Sequence, residues 1–137
     1  MNTTITHQLI AESLRVEHTA ALFGIQFPLS LEPSIYAMAG SMVPAYQGGY
    51  WQFYKLSNGG FYMAPHSKKQ YQVSCDNGFE GNLSADTLGI TACLYAYSHL
   101  SFSDNQKYAE VCADHYHFLR EFMLEHQEAG SILRAID

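Results

Sequence analysis

Two aromatic runs separated by Asn58-Gly59 place the tightest constraint on the fold of this chain. The stretch from position 48 to 65 reads GGYWQFYKLSNGGFYMAP. Aromatic residues favour strands, and Asn-Gly between two such runs is typical of a two-residue turn whose residues both take positive φ. The spacing therefore predicts an antiparallel hairpin, and Pro65 is expected to end its second strand.

A two-residue turn fixes the register of this hairpin. It pairs Leu56 with Phe61, Lys55 with Tyr62 and Tyr54 with Met63. Side chains alternate between the two faces of a strand. One predicted face therefore holds Tyr54, Leu56, Phe61 and Met63, and the other holds Trp51, Phe53 and Tyr62. Both faces are apolar, so we expect both to be covered at least in part.

Two further strands are expected after the hairpin. Residues 71–75 alternate in polarity, and Asn77-Gly78 predicts a turn into a short strand over 79–83. Before the hairpin, the pattern predicts a short helix within 6–14 and an irregular loop over 22–32. A helix is then expected from Pro33, which is favourable in a first helical turn, to about Met42.

The C-terminal half is predicted to be helical. Ser84 is a favourable N-cap with Asp86 in the first turn, and Ser103 to Gln106 matches a capping box that would open a long helix. A last short helix is expected over 128–136. We therefore predict an α+β fold in one domain, 1–137: a small antiparallel three- to four-stranded meander packed with about four to five helices.

Charge and composition exclude several function classes. The 137 residues carry 13 acids and 7 bases, a net charge of -6, which gives no electrostatic basis for binding duplex DNA. Mimicry of DNA is also disfavoured, because a duplex face of ~40 Å carries about 24 charges. No apolar run reaches the length of a membrane span and no secretory signal is visible. Three widely spaced cysteines fit reduced, mostly buried thiols, so we expect a cytoplasmic protein. The sequence does not fix the oligomeric state, and a monomer is favoured.

No catalytic, metal or cofactor site is predicted. His115 and His117 point to different sides of a helix, and Cys112 with His115 lacks a third ligand at matching spacing. Ser84 and Asp86 resemble a nucleophile beside a carboxylate, but helix capping explains the same residues. We therefore expect a protein that is not an enzyme, and keep a small-molecule enzyme using Ser84 and Asp86 as an alternative.

Two groups of residues are candidates for partner contact. The aromatic hairpin offers Trp51, Tyr54 and Tyr62 as interface anchors, or as rings that stack single-stranded bases, although stacking also needs a basic groove. The acidic C-terminal helix offers Glu121 and Glu125 to a basic partner, although such a face is usually only solvated. Core packing is the competing explanation for the aromatic residues.

Three long blocks of sequence resemble the ArdB/KlcA family of antirestriction proteins. They are the hairpin stretch above, GFEGNLSADTLGITACLYAYSHLSF over 78–102 and FLREFMLEHQEAGSILRAID over 118–137. The resemblance extends from about Tyr46 to the C-terminus, while the N-terminal 45 residues look less like the family.

The resemblance implies a small α+β protein of mobile DNA that inhibits cleavage by type I restriction-modification enzymes. It carries no catalytic residues over. We expect a non-catalytic protein contact, with either the restriction complex or a factor that controls it as the partner. The alternative function is a nucleic-acid-binding accessory protein of a mobile element that uses the aromatic hairpin.

Overall fold

The predicted hairpin is the centre of a three-stranded antiparallel sheet. In the computed structural model, which describes residues 4–44, 46 and 48–137, the sheet contains β1 (His7–Leu9), β2 (Trp51–Leu56) and β3 (Phe61–Pro65), in that order. A short helix was predicted within 6–14, but β1 occupies its first part and only Glu12–Leu14 are helical, as a 3-10 turn. The three residues of β1 are all exposed, so the helix-like spacing of apolar residues in this segment does not reflect a buried helical face.

The predicted hairpin register is wrong by one residue, because the turn holds three residues instead of two. Lys55 pairs with Phe61, Tyr54 with Tyr62 and Phe53 with Met63. The Gly59 amide donates to the Leu56 carbonyl at 3.0 Å and the Leu56 amide donates to the Gly60 carbonyl at 2.9 Å. Among the described residues only glycines have positive φ, and Gly59 has φ +96°. Asn58 therefore precedes the single left-handed residue of a three-residue loop.

The remaining two strands form a separate sheet. β4 (Gln70–Ser74) pairs antiparallel with β5 (Glu80–Ser84), and this pair is not hydrogen-bonded to the first sheet. The predicted strands and the turn between them are therefore present, but the meander is divided after Pro65. All five residues of β3 are buried, because a helix packs across this strand.

Within the described residues, five α-helices complete the predicted α+β fold, in agreement with the expected four to five, although α1 was not predicted. They are α1 (Arg15–Phe23), α2 (Glu32–Met42), α3 (Ala85–Leu100), α4 (Gln106–Met123) and α5 (Ala129–Ile136). The predicted loop over 22–32 is largely wrong, because Phe27–Leu31 form a π-helical turn that leads directly into α2. The Ser84 cap is confirmed: its side chain accepts the Thr87 amide. The capping box is wrong, since Asn105, not Ser103, caps α4.

Helix α3 is the centre of the core. Eleven of its residues are buried, and it contacts β3, α2, α4 and α5. Gly89 permits the approach to β3, since a Cβ at that position would overlap Ala64 and the Met63 carbonyl. Tyr97 donates its hydroxyl to the Phe61 carbonyl at 2.8 Å. The close α3–β3 packing places the first turn of α3 beside Tyr62.

The structure also bears on two predictions made from composition. The three cysteines are free and buried, as expected. Within the described residues, no helix has both the length and the apolar character that crossing a bilayer requires.

Candidate functional site

The Tyr62 hydroxyl joins the hairpin to the first turn of α3. Tyr62 is fully buried in β3, and its hydroxyl donates to Asp86 Oδ1 at 2.7 Å. Burial raises the pKa of Tyr62 far above its ordinary value, and the Asp86 carboxylate raises it further. The phenol therefore stays protonated and acts as a permanent donor to Asp86.

Two histidines complete this network. His7 Nδ1 lies 2.6 Å from the Tyr62 hydroxyl oxygen, and His126 Nε2 lies 3.0 Å from Asp86 Oδ2. Because the only Tyr62 hydroxyl proton is given to Asp86, we assign His7 Nδ1 as the donor to Tyr62. Residues of β1, β3, α3 and the segment after α4 thus meet at one point.

Asp86 is the negative centre of the network. Burial alone would raise the pKa of Asp86, but the hydrogen bonds from His126 and Tyr62 outweigh burial and hold it below its ordinary value. The Asp86 side chain is 33% exposed. The carboxylate is therefore ionised at neutral pH and remains accessible to a partner.

The protonation of His126 is decided by two opposing contacts. The hydrogen bond to Asp86 raises the pKa of His126. However, the Glu128 backbone amide donates to His126 Nδ1 at 3.0 Å, and that nitrogen accepts only when it carries no proton. The ring is therefore neutral, with its proton on Nε2, facing Asp86.

An open cavity of about 530 Å³ lies against this network. We call it the His7–Phe122 cavity; it is lined by residues 4–6 and by His7, Asp86, Phe122, Glu125, His126 and Gln127. Asp86 and Glu125 are the acidic residues of its lining, and no lysine or arginine among the described residues lines it. The cavity is therefore electronegative.

Stacked rings support one wall of the cavity. Tyr54 and Tyr62 stack with centroids 4.9 Å apart, and His7 stacks on Tyr54 at 4.8 Å with an interplanar angle of 11°. Phe122 lies 5.6 Å from His7 and 5.7 Å from Tyr62. The corrected register produces this stack, because it puts Tyr54 and Tyr62 side by side on one face.

The structure separates the five predicted contact residues. Tyr54 and Tyr62 lie in the ring stack, and Glu125 lines the cavity. Glu121 is exposed on α4, one helical turn before Glu125. Trp51 is 3% exposed and donates its indole N–H to Tyr46. Its packing argues against direct contact with a partner, and its contact role stays a prediction.

Ser84 has a structural role that accounts for its hydroxyl. The Ser84 hydroxyl lies 2.6 Å from Glu128 Oε2, and the Thr87 hydroxyl donates to the same oxygen at 2.8 Å. Burial alone would raise the pKa of Glu128, but these hydrogen bonds hold it below its ordinary value. Glu128 thus links the start of α5 to the cap of α3.

Sequence reasoning missed His7, Phe122 and His126 as site residues. No local signal identifies them, because a histidine in the first strand and another after α4 meet only in the folded chain. Asp86 carried a signal, its place in the first turn of a helix, but that signal indicated capping. Among the described residues, no group of three His, Cys, Asp or Glu side chains is arranged to hold a metal ion.

Comparisons with known proteins give a consistent result. A family model described as "Antirestriction protein" matches residues 44–137. Two proteins from Escherichia coli, each named "Antirestriction protein KlcA", are similar to this chain. One is 40% identical over 97% of this chain and 95% of its own length, and the other is 42% identical over 93% and 90%.

A solved structure extends this similarity to the whole chain. It matches with a TM-score of 0.91 at 40% identity, covering all of both chains. It is described as showing, for the KlcA and ArdB proteins, a novel fold and antirestriction activity against type I DNA restriction systems in vivo but not in vitro. The similarity thus includes the N-terminal residues, which the family model leaves unmatched.

Proposed function

We propose, from the premise that this chain belongs to the antirestriction protein family, that it protects incoming mobile DNA from cleavage by type I restriction systems in the cell. The observation that carries the proposal is the match along the full chain to the solved KlcA and ArdB fold, at a TM-score of 0.91.

The proposed mechanism is a protein contact without catalysis. The activity described for KlcA and ArdB in vivo but not in vitro favours a target that purified components lack. That target is either a cellular factor that controls the restriction complex or the complex in a state that exists only in the cell. The Ser84 hydroxyl, engaged by Glu128 and Thr87, gives no support to nucleophilic chemistry.

Mimicry of DNA is not part of this proposal. A net charge of -6 over 137 residues is far below the charge density of a duplex, about one per 1.7 Å of axis. Stacking on single-stranded bases, the alternative function, requires accessible rings. Trp51 and Tyr62 are buried, which leaves only the half-buried Tyr54 of the three predicted rings.

The contact surface we propose is the end of α4 together with the His7–Phe122 cavity. Glu121 is exposed in the last turn of α4 and Glu125 just after it, and Glu125 lines the same cavity as the ionised Asp86. Charged residues at the rim of an interface act mainly on partner choice and association rate. A basic protein surface is therefore the complementary partner.

A plating assay tests the function. Unmodified phage is plated on hosts that carry a type I restriction system, with and without expression of this chain, and on a host without restriction. We expect expression to raise plating only on the restricting hosts. Methylation of the surviving phage is measured in parallel, to separate blocked cleavage from enhanced modification. Unchanged plating on several type I hosts would count against the function.

Charge reversal tests the surface. Glu121→Lys with Glu125→Lys changes two exposed residues four positions apart, one in the last turn of α4 and one just after its end. Glu110→Lys with Asp114→Lys makes the same change in charge at two exposed residues with the same spacing nearer the start of α4. We expect the first pair to abolish protection and the second to retain it. Equal loss in both pairs would indicate a general charge effect and refute this surface.

A further inference from the structure

We propose that the His7–Phe122 cavity is a receptor for one arginine side chain presented by a protein partner. The proposal rests on the proposed function, since it names the partner chemistry at the contact surface described above. Three properties of the described residues carry it: the charge of the cavity, the arrangement of its rings, and the fixed orientation of its carboxylate.

The charge of the cavity selects a cation. Asp86 and Glu125 line it, and no lysine or arginine within residues 4–44, 46 and 48–137 does so. His126 faces Asp86 through Nε2, and its Nδ1 is occupied by the Glu128 amide. The described lining therefore holds two carboxylates and no lysine or arginine to neutralise them.

The rings of the cavity favour a planar cation. His7 and Phe122 both line the opening. They contact each other with centroids 5.6 Å apart, and His7 also stacks on Tyr54, so a flat cation would pack on the free side of Phe122 and not between the two rings. Guanidinium groups stack on aromatic faces and pair with carboxylates through a flat array of donors. A lysine ammonium lacks this planar match, so arginine is the better fit.

The Asp86 carboxylate is held ready to accept such donors. Tyr62 bonds Oδ1 at 2.7 Å and His126 contacts Oδ2 at 3.0 Å. Each carboxylate oxygen accepts more than one hydrogen bond, so both retain acceptor capacity at an exposed edge. Because Tyr62 is fully buried, this orientation exists before the partner arrives, which reduces the ordering cost of binding.

The size of the cavity agrees with this occupant. Its volume of about 530 Å³ lies within the range of roughly 300–1,000 Å³ typical of ligand sites. It therefore has room for a guanidinium group and its aliphatic stem, which would lie along Phe122.

An NMR titration tests the receptor directly. The full chain, labelled with ¹⁵N, is titrated with N-acetyl-arginine amide, and separately with N-acetyl-citrulline amide, which has nearly the same shape but no charge. We expect arginine to shift the amide signals of His7, Phe122 and His126, and citrulline to leave them unchanged. Shifts confined to other residues, equal shifts with citrulline, or no shifts up to the solubility limit of arginine would overturn the proposal.

Two matched variants test whether Glu125 contributes to arginine binding. Glu125→Gln should weaken arginine binding about threefold, the size expected for one exposed ion pair. Glu110→Gln makes the same change at an exposed α4 residue outside the cavity and should leave affinity unchanged. Equal affinity in both variants would refute the assigned role of Glu125. A failed titration with intact phage protection would reject the receptor alone, whereas absent protection would reject the proposed function whatever the titration shows.

Discussion

Replacing Gly89 with alanine should destabilise the protein at the contact that positions the candidate site. Gly89 lies in α3 against β3, where an added Cβ would overlap the Ala64 Cβ, the Ala64 Cα and the Met63 carbonyl oxygen. Two of these three neighbours are backbone atoms, which cannot rotate away as a flexible side chain does. Relief therefore requires α3 and β3 to move apart.

The cost follows from that separation. The added methyl would lie more than about 1 Å inside the ordinary carbon contact distance of ~3.5 Å, and overpacking of this kind costs about 3 kcal/mol. The higher helix propensity of alanine returns ~1 kcal/mol. The expected net loss is thus about 2 kcal/mol. The same movement would lengthen the 2.7 Å hydrogen bond between Tyr62 and Asp86.

Urea unfolding measures this loss, with Gly40→Ala as the matched control. Gly40 is also helical, but a Cβ there meets nothing within 4 Å. With a slope of about 2 kcal/mol/M, Gly89→Ala should lower the unfolding midpoint by about 1 M. Gly40→Ala should raise it by up to ~0.5 M, through helix propensity alone.

One result would refute the reasoning. If Gly89→Ala unfolds at the same urea concentration as Gly40→Ala, then α3 and β3 tolerate the methyl without separating. In that case the close packing at Gly89 would not determine the distance between Tyr62 and Asp86.

Three further predictions concern pH dependence and local hydrogen bonds. Burial lowers the pKa of His115 to about 4. Because unfolding frees this ring to bind a proton near pH 6.5, stability is full above that pH and is lost as pH falls towards 4, by about 2 kcal/mol at pH 5. His115→Leu should remove this component in urea unfolding at pH 7 and 5. Ser84→Ala should cost about 1–2 kcal/mol through loss of the cap and the Glu128 contact, and Ser84→Thr should restore most of it. Asn58→Asp removes the 2.9 Å hydrogen bond from the Asn58 amide to the Phe118 carbonyl and should cost about 1–2 kcal/mol, measured in the same way; an unchanged midpoint would show that this bond is dispensable.

Prediction from sequence succeeded where the signal was local. The hairpin, the second strand pair, the Ser84 cap and the end of α2 at Met42 each depend on a few neighbouring residues, and the structure confirms them. The register failed because two-residue and three-residue turns compete for the same Asn-Gly pair. A shift of one residue in the pairing moves every side chain of β3 to the opposite face relative to the side chains of β2.

The candidate site was only partly predictable, because only some of its residues carry a signal within their own segment of sequence. Tyr54, Tyr62 and Glu125 were identified from aromatic content and charge, which are properties of a single segment. The role of Asp86 beside Tyr62 depends on the packing of α3 on β3. His7 enters only because β1 pairs with β2, a contact between distant parts of the chain.

The sequence by itself determined the α+β class, the family resemblance and the exclusion of a DNA-like charge density, because these depend on composition and on local pattern. Tertiary structure alone decided that Tyr62 meets His7 and Asp86, that His126 completes the network, and that Trp51 lies in the core. The physical reason is that hydrogen bonds and ring contacts form between side chains brought within a few ångströms. For residues far apart in the chain, that proximity depends on how the whole chain packs.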